Sequence, residues 1–353
     1  MPRRSRAETV VACSLAVLAI FILVLARAFH PGARVAATVS GGGSATVSGG
    51  GRPSSCPSVP GPAAAVGYCD NTFSITNFTK SNVDTAGSNA PGFMLYLQNW
   101  FGNASNPVAN TINADGSITN AGQASGGGTL VSGAVITSSP YFRGMLFGGG
   151  GYFCATFKLS STEINNANGW PSYYLFSGNH IRSFHGGNAL DQWTGTAGGY
   201  EHFPEIDVIE YFGSSYGNNT NYYTRTLHDW HGVFNATCVG HSYCNDQSDA
   251  AYPMGVNSFT HYHNYCELWV PATASTNGFV KDYYDGAQQG SALTWTQYTG
   301  GESQPPPPSD QPWLYGILDR DWMDIAIGGS SDSSTQILSI QVWQASGANN
   351  LRN

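Results

Sequence analysis

Three carboxylates lie close together in residues 205–210, which read Glu-Ile-Asp-Val-Ile-Glu, in a chain in which only 10% of the residues are charged. Val and Ile favour an extended strand, and side chains alternate between the two faces of a strand, so Glu205 and Asp207 should point to the same side. In a regular strand Glu210 would face the other side. One extra residue, inserted as a β-bulge near Val208 or Ile209, would return Glu210 to the face of the other two acids.

A pair of carboxyl groups on one face, with a third between them, is suited to acid–base chemistry. With the bulge, the backbones of Glu205 and Glu210 are about four strand steps apart, roughly 13 Å, and inward-leaning side chains can close much of that distance. Carboxyl groups about 5 to 5.5 Å apart are typical of retaining glycosidases, with one acid as nucleophile and the other as acid and then base. Asp207 would keep the pair electrostatically unequal, because neighbouring like charges push pKa values apart. The alternatives to catalysis are a solvated strand face and a calcium site.

This acidic segment resembles the nucleophile strand of glycoside hydrolase family 16, the laminarinase-like β-glucanases, in its longer form E-x-D-x-x-E. Residues 168–175 are similar to the family's G-x-W-P-A-F-W-L, and residues 265–269 with 279–286 are similar to its Y-x-x-E-W and F-Y-V-D-G hairpin. The resemblance extends over about residues 70 to 345. Tyr174 stands where the family usually has a second Trp, and Pro204 stands where Gly often precedes the nucleophile, which leaves the substrate less certain than the reaction.

The resemblance implies an all-β fold, a β-sandwich jelly roll of the concanavalin A-like lectin and glucanase type, with two antiparallel sheets and an open groove. Composition favours the same class independently, because Gly, Asn, Ser, Thr and aromatic residues are abundant and Leu and Lys are scarce. The catalytic domain is predicted over residues 67–346, which is long enough for one large sandwich.

The resemblance also implies roles for individual residues. Glu205 is expected to be the nucleophile, Glu210 the acid and then base, and Asp207 the residue that holds and tunes Glu205. Five further side chains are candidates for substrate binding: Trp170, Tyr174, His228, Trp230 and Trp193. Trp170 matches the family's cleft Trp, His228 matches a cleft His on the strand after the nucleophile, and Trp193 lies in an apparent loop. A core position is the alternative for Trp170 and for Tyr174.

No cofactor and no catalytic metal are predicted, although a structural calcium ion remains unassigned. His228 and His231 have the H-x-x-H spacing of a zinc pair, yet that spacing places them on opposite faces of a strand. The glycine-rich runs at residues 126–128 and 148–151 lack a following helix pattern, so they do not predict a phosphate-binding loop.

The N-terminus is predicted to be a membrane anchor. Three Arg residues precede an uncharged apolar run of eighteen residues, Thr9 to Ala26, which is near the length needed to span a bilayer. The predicted parts are a cytoplasmic tail (residues 1–8), a transmembrane signal anchor (9–28) and a Gly/Ser/Pro-rich linker (29–66). A type II anchor would place the enzyme outside the cell or in a lumen. A cleaved signal peptide, giving a secreted protein, is the alternative.

The chain has seven Cys, of which Cys13 lies in the apolar run and six lie beyond it. An even number in a secretory context suggests disulfides. Proximity in sequence favours Cys56 with Cys69 and Cys238 with Cys244, leaving Cys154 for Cys266, among the fifteen pairings that six cysteines permit. Glycosylation sequons occur at Asn77, Asn103, Asn218 and Asn235.

The formal net charge of −8 makes the chain a poor partner for nucleic acid and favours a neutral polysaccharide over an anionic one. The sequence therefore predicts a monomeric, membrane-anchored, retaining endo-β-glucanase that acts on β-1,3-linked or mixed β-1,3/1,4 glucan. Two alternatives use the same fold. One is a cell-wall transglycosylase, and the other is a non-catalytic carbohydrate-binding or wall-assembly protein.

Overall fold

The computed structural model describes residues 56, 58–98, 110–121, 129–136, 138, 141–159, 170–181, 200–210, 222–238, 243–254, 258–295, 321–330 and 334–353. The described residues form strands almost throughout, with a short helix, α1 (Gly61–Ala65), and a 3₁₀ turn at Ser258–Thr260. A further helical turn follows β10 at residues 178–181. The strands are β1 (Asp70–Ile75), β2 (Val83–Asp84), β3 (Leu95–Leu97), β4 (Asn110–Ile112), β5 (Ile118–Ala121), β6 (Leu130–Val131), β7 (Gly133–Val135), β8 (Phe142–Gly148), β9 (Gly151–Leu159), β10 (Trp170–Ser177), β11 (Tyr200–Glu210), β12 (Tyr222–Val233), β13 (Cys244–Pro253), β14 (His263–Val270), β15 (Gly278–Tyr284), β16 (Ala287–Trp295), β17 (Trp322–Ser330), β18 (Ser334–Gln344) and β19 (Leu351–Arg352).

These strands form two sheets. Sheet 1 has the order β16-β15-β14-β9-β18-β5-β4, with β1 also paired to β18. Sheet 2 has the order β13-β12-β11-β10-β17-β6-β3-β2, with β8 joined to β17 and carrying β7 and β19. The β2–β3 pair is parallel, whereas the central pairs around β11 are antiparallel. The predicted all-β fold of two packed sheets is confirmed.

A large apolar core lies between the two sheets, and alternation along the strands builds it. In β9, Phe153, Ala155 and Phe157 point into this core, whereas Tyr152 and Cys154 belong to a separate cluster on the outer face of sheet 1. Burying a Phe side chain stabilises the fold by about 1.5 to 3 kcal/mol. Sheet 2 contributes in the same way, with Tyr173 and Leu175 of β10 in the core.

The outer face of sheet 1 is covered by the segment before β1, and we call this surface the back face. Ala63 of α1 and Tyr68 are buried there against Tyr152, Leu268 and Trp343. The Tyr68 hydroxyl donates a hydrogen bond to the carbonyl oxygen of Trp269, 3.2 Å away. The N-terminal part of the described chain is therefore packed against sheet 1.

Three disulfides are present, and they are the three pairs that sequence proximity favours. Cys154–Cys266 joins the neighbouring strands β9 and β14 on the back face, across 112 residues of sequence. Cys56–Cys69 closes the segment that holds α1, and Cys238–Cys244 closes the connection between β12 and β13. The disulfide prediction is confirmed for these six cysteines.

The predicted cytoplasmic tail and anchor, and the linker up to residue 55, lie outside the described residues. Within the part of the chain that is described, no helix is long and apolar enough to cross a membrane. The packed structure includes residues on both sides of the predicted domain (67–346): α1 precedes it, and β19 follows it and pairs with β8. Asn77 and Asn235 are exposed, while the other two sequons lie outside the description.

Candidate active site

The acidic segment forms the end of β11, in the middle of sheet 2. Opposite it on β12, Glu205 pairs with His228 and Asp207 with Thr226, but the next pair is Glu210 with Thr224. From Asp207 to Glu210 the chain of β11 takes three steps, whereas from Thr226 to Thr224 the chain of β12 takes two. This is the β-bulge that the spacing of the acids predicts.

The bulge directs all three acids to one side of sheet 2. Ile206, Val208 and Ile209 all lie in the core between the sheets, so the two consecutive residues before Glu210 share the inner side. Glu205 and Glu210 are partly exposed, and Asp207 is buried. We call the side of sheet 2 that carries these acids the carboxylate face.

Pro204 lies just beyond the end of the ladder between β10 and β11. The last pair of that ladder is Phe176–Glu205, whereas on the other side of β11 Pro204 pairs with Asp229 of β12. Proline has no backbone N–H to donate, so it is tolerated where one side of a strand has no partner. The end of pairing with β10 gives Pro204 such a side.

Two neighbouring side chains on β12 bind the acids directly. The indole N–H of Trp230 donates to Oε2 of Glu205 at 2.7 Å, and Nε2 of His228 lies 2.9 Å from Oδ2 of Asp207. The His228 ring stacks on Trp230 with centroids 5.1 Å apart. Its Nδ1 lies 3.0 Å from the side-chain oxygen of Asn245 on β13. Both ring nitrogens therefore face oxygen atoms, as suits an imidazolium.

The charges of these groups are strongly coupled. Burial, and then the charge of Asp207, raise the pKa of Glu205 to about 8, although His228 and the Trp230 hydrogen bond act in the opposite direction. Burial opposes the positive charge of His228, but the hydrogen bond to Asp207 and the charges of the three acids outweigh it and raise the pKa of His228 to about 10. At neutral pH His228 is therefore a cation within an acidic cluster.

Removing the charge of Asp207 should lower the pKa of Glu205. Two neighbouring charges act on the pKa of Glu205: Asp207 raises it, and His228 lowers it by a smaller amount. Asp207→Asn removes the larger effect, so the pKa should fall even if His228 loses part of its positive charge. We expect the titration of Glu205 to move from about 8 towards its usual range, by on the order of one pKa unit. Carboxyl ¹³C NMR of glutamate-labelled protein, with Glu205→Gln to assign the resonance, measures it. An unchanged or higher pKa would contradict this account of the coupling.

Glu210 lies in the same cluster, and the cluster includes possible metal ligands. One ligand atom each from Asp207, Glu210 and His228 lie within 4.8 Å of one another. A cation with oxygen and imidazole ligands could be held there, at the cost of the ion pair between Asp207 and His228. His231 does not contribute, because it is buried near His202 on the opposite side of β12, as the H-x-x-H spacing predicts.

An apolar patch surrounds the acids on the carboxylate face. Tyr174, opposite Asp207 in the β10–β11 ladder, packs with Phe176, Phe203 and Ala326. Tyr174 is only 8% exposed. Most of its side chain is therefore packed in this cluster, as the core alternative predicts. Burial, with the nearby acids, raises the pKa of its hydroxyl well above the usual value. Tyr174 therefore remains neutral beside the carboxylates.

Of the other predicted substrate-binding residues, the structure places two beside the acids and does not describe the side chains of the other two. His228 and Trp230 are beside the acids, but their observed contacts are with Asp207 and Glu205. Trp170 begins β10 opposite Ser330, and its side chain lies outside the description. Trp193 lies entirely outside the described residues.

Sequence reasoning missed one further acid near this site. Asp324 of β17 pairs with Phe176, which in turn pairs with Glu205. Its carboxylate accepts hydrogen bonds from the Ser132 hydroxyl at 2.7 Å and from the Gly133 N–H at 2.6 Å. Burial raises its pKa well above the usual value. A lone Asp in an apolar strand carries no spacing signal, so only the sheet order reveals its position.

No known protein family matches this chain in sequence, and no curated protein does either. Among solved structures it is similar to an endo-1,3-β-glucanase from Streptomyces sioyaensis (14% identity, TM-score 0.41, covering 80% of this chain and 97% of that one). It is also similar to peanut lectin (13%, TM-score 0.32, 76% and 95%) and to lectin II from Ulex europaeus (10%, TM-score 0.33, 78% and 100%). All three TM-scores are below 0.5.

Proposed function

We propose that this protein is a retaining endo-β-glucanase with the jelly-roll fold of glycoside hydrolase family 16. The observation that carries the proposal is the bulge of β11, which brings Glu210 to the face of Glu205 and Asp207. Two carboxyl groups on one face are what a glycosyl-enzyme mechanism requires. A regular strand would have left Glu210 on the other side of the sheet.

In this mechanism Glu205 attacks the anomeric carbon. Trp230 donates to Oε2 of Glu205, which leaves Oε1 to form the bond and fixes the plane of the carboxylate. Glu210 protonates the leaving oxygen and then removes a proton from the water that releases the sugar. The anomeric configuration is retained because displacement occurs twice.

Asp207 and His228 maintain the charge balance around the nucleophile. Glu205 must be ionised to attack, and burial together with the charge of Asp207, which raise its pKa, oppose the ionised form. The His228 imidazolium and the Trp230 N–H are the groups that favour the ionised form. The ion pair between Asp207 and His228 keeps that positive charge in place.

The substrate proposed is a neutral β-glucan with β-1,3 or mixed β-1,3/1,4 linkages. The longer acid motif indicates the laminarinase side of the family, and the net charge of −8 disfavours anionic polysaccharides. The three disulfides suit an oxidising compartment. This agrees with our proposal that the enzyme lies on the outer or lumenal side of a membrane, held by an N-terminal anchor, or in the secreted fraction.

A panel of polysaccharides tests this proposal. Purified protein should release reducing ends from laminarin faster than from xyloglucan and sulfated galactans. In the part of the chain that the structure describes, His228 is the cationic group beside the acids, and no cluster of cations is present there to bind an anionic polymer. Glu205→Gln is the control for contaminating activity. Release of reducing ends from a sulfated galactan, with none from laminarin, would overturn the substrate assignment. Product analysis at high acceptor concentration would reveal transglycosylation instead of hydrolysis.

A further inference from the structure

A second group of aromatic and polar side chains lies on the carboxylate face, beyond Glu205 and away from Glu210. Alternation along β11 places Glu201 and Phe203 on the same side as Glu205. Four strand steps separate Glu201 from Glu205, or about 13 Å between backbones. This group is therefore too far from Glu205 to take part in its chemistry, but it lies on the same surface.

The carboxylate of Glu201 is held in a fixed position. Its Oε2 accepts a hydrogen bond from the Tyr243 hydroxyl and lies 3.6 Å from Nδ1 of His180. The rings that carry these partners pack on Phe203, with His180 stacked at 3.6 Å and Tyr243 edge-on at 5.0 Å. The Glu201 side chain nevertheless keeps 22% of its surface exposed, so solvent or a ligand reaches it.

Phe234 extends this group to the surface. Its ring lies 5.5 Å from that of Tyr243, and it is 48% exposed. Among the described residues only Phe234 and Tyr222 are large hydrophobic side chains with an exposed surface of this extent. The Cys238–Cys244 disulfide closes the loop that joins Phe234 to Tyr243. An aromatic ring is thus presented to solvent next to a fixed carboxylate.

We propose that Phe234 and Glu201, held in position by the buried Tyr243, form a pyranose-binding subsite that binds a sugar of the β-glucan other than the one that Glu205 attacks. The inference rests on the proposed function. A flat aromatic ring binds the apolar face of a pyranose, and a carboxylate accepts hydrogen bonds from its hydroxyls. Because Glu201 and Glu205 lie on the same side of β11, about 13 Å apart along the backbone, one polysaccharide chain is long enough to contact both.

The test measures affinity as a function of oligosaccharide length. In the Glu205→Gln background, which prevents turnover, calorimetric titration with laminari-oligosaccharides from the disaccharide to the heptasaccharide should show a gain in affinity once the ligand reaches the subsite. Adding Phe234→Leu, which keeps an apolar side chain without a flat ring, should remove most of that gain and weaken binding of the heptasaccharide about tenfold. Phe234→Tyr should restore it.

Glu201→Gln provides an independent variant, because it keeps the size of the side chain and removes its charge. It should also weaken binding of the long ligands, and melting curves verify that each variant is folded. Production in a bacterial periplasm leaves Asn235, next to Phe234, unglycosylated. If the Glu205→Gln protein binds long oligosaccharides and Phe234→Leu binds them equally well, the subsite is wrong while the proposed function stands. If it binds no laminari-oligosaccharide of any length, both are wrong.

Discussion

Replacing Glu205 with alanine should abolish hydrolysis of β-glucan, whereas Glu210→Ala should still turn over an aryl glycoside that has a good leaving group. The first variant lacks the carboxylate that forms the glycosyl-enzyme intermediate, so no later step can compensate. The second lacks only proton transfer, which contributes about 10² to 10⁴ in rate and is least needed when the leaving group departs without protonation. The comparison requires initial rates on laminarin and on the aryl glycoside.

Azide distinguishes the two roles by the configuration of the product. In Glu210→Ala, azide should intercept the intermediate and give a β-glycosyl azide, which retains the configuration of the β-linked substrate. In Glu205→Ala, azide should enter the space of the missing carboxylate and give the α-azide by a single displacement. Proton NMR of the anomeric signal identifies each product. Asp70→Ala, which changes an exposed carboxylate of β1 in the other sheet, is the control.

Two outcomes would contradict the mechanism. Reversed azide configurations would mean that the nucleophile is Glu210 and the acid is Glu205. Inversion by the unsubstituted enzyme would mean that the two carboxyl groups are too far apart for a covalent intermediate, because inverting pairs are separated by about 6.5 to 9.5 Å.

Loss of the Cys154–Cys266 disulfide should be the most destabilising single change to the covalent framework. The bond closes a loop with a sequence separation of 112 residues, and the chain-entropy relation gives about 4.7 kcal/mol for a loop of about 100 residues. The double variant Cys154→Ala/Cys266→Ala should therefore lower the free energy of unfolding by about 4 to 5 kcal/mol. Denaturant unfolding in non-reducing buffer measures the difference.

The matched control is Cys238→Ala/Cys244→Ala, which opens a loop with a separation of only 6 residues. The same relation gives on the order of 2 kcal/mol for this bond, so it should be the smaller loss. Equal losses in the two variants would show that loop closure is not the dominant effect. Several free thiols in the secreted, unreduced protein would contradict the disulfide framework itself.

The position of the bulge was predictable because it follows from a chemical requirement. Three acids at spacings of two and three residues can share one face of a strand only if an extra residue lies between Asp207 and Glu210. The structure has its pairing shift in that interval. The cysteine pairing was predictable in part, because two of the bonds are short in sequence and the third follows by elimination.

The partners of the acids were not predictable from local sequence. The sequence predicts His228 and Trp230 as substrate-binding side chains, yet their contacts with Asp207 and Glu205 depend on the register between β11 and β12. Neither strand encodes that register by itself. Tyr174 illustrates a related limit, because a Tyr in an apolar strand is compatible with either a binding surface or a core, and only packing from neighbouring strands decides between them.

Packing of the N-terminal part of the described chain on the back face separates the start of the fold from the acids. Cys56–Cys69 and α1 fix the point of entry on the outer face of sheet 1, whereas the acids lie on the outer face of sheet 2. A support coupled to the chain at Cys56 would therefore hold the molecule from the side opposite to the acids. Immobilised in this way, the protein would turn the carboxylate face, where the proposed function places the glucan, away from its point of attachment.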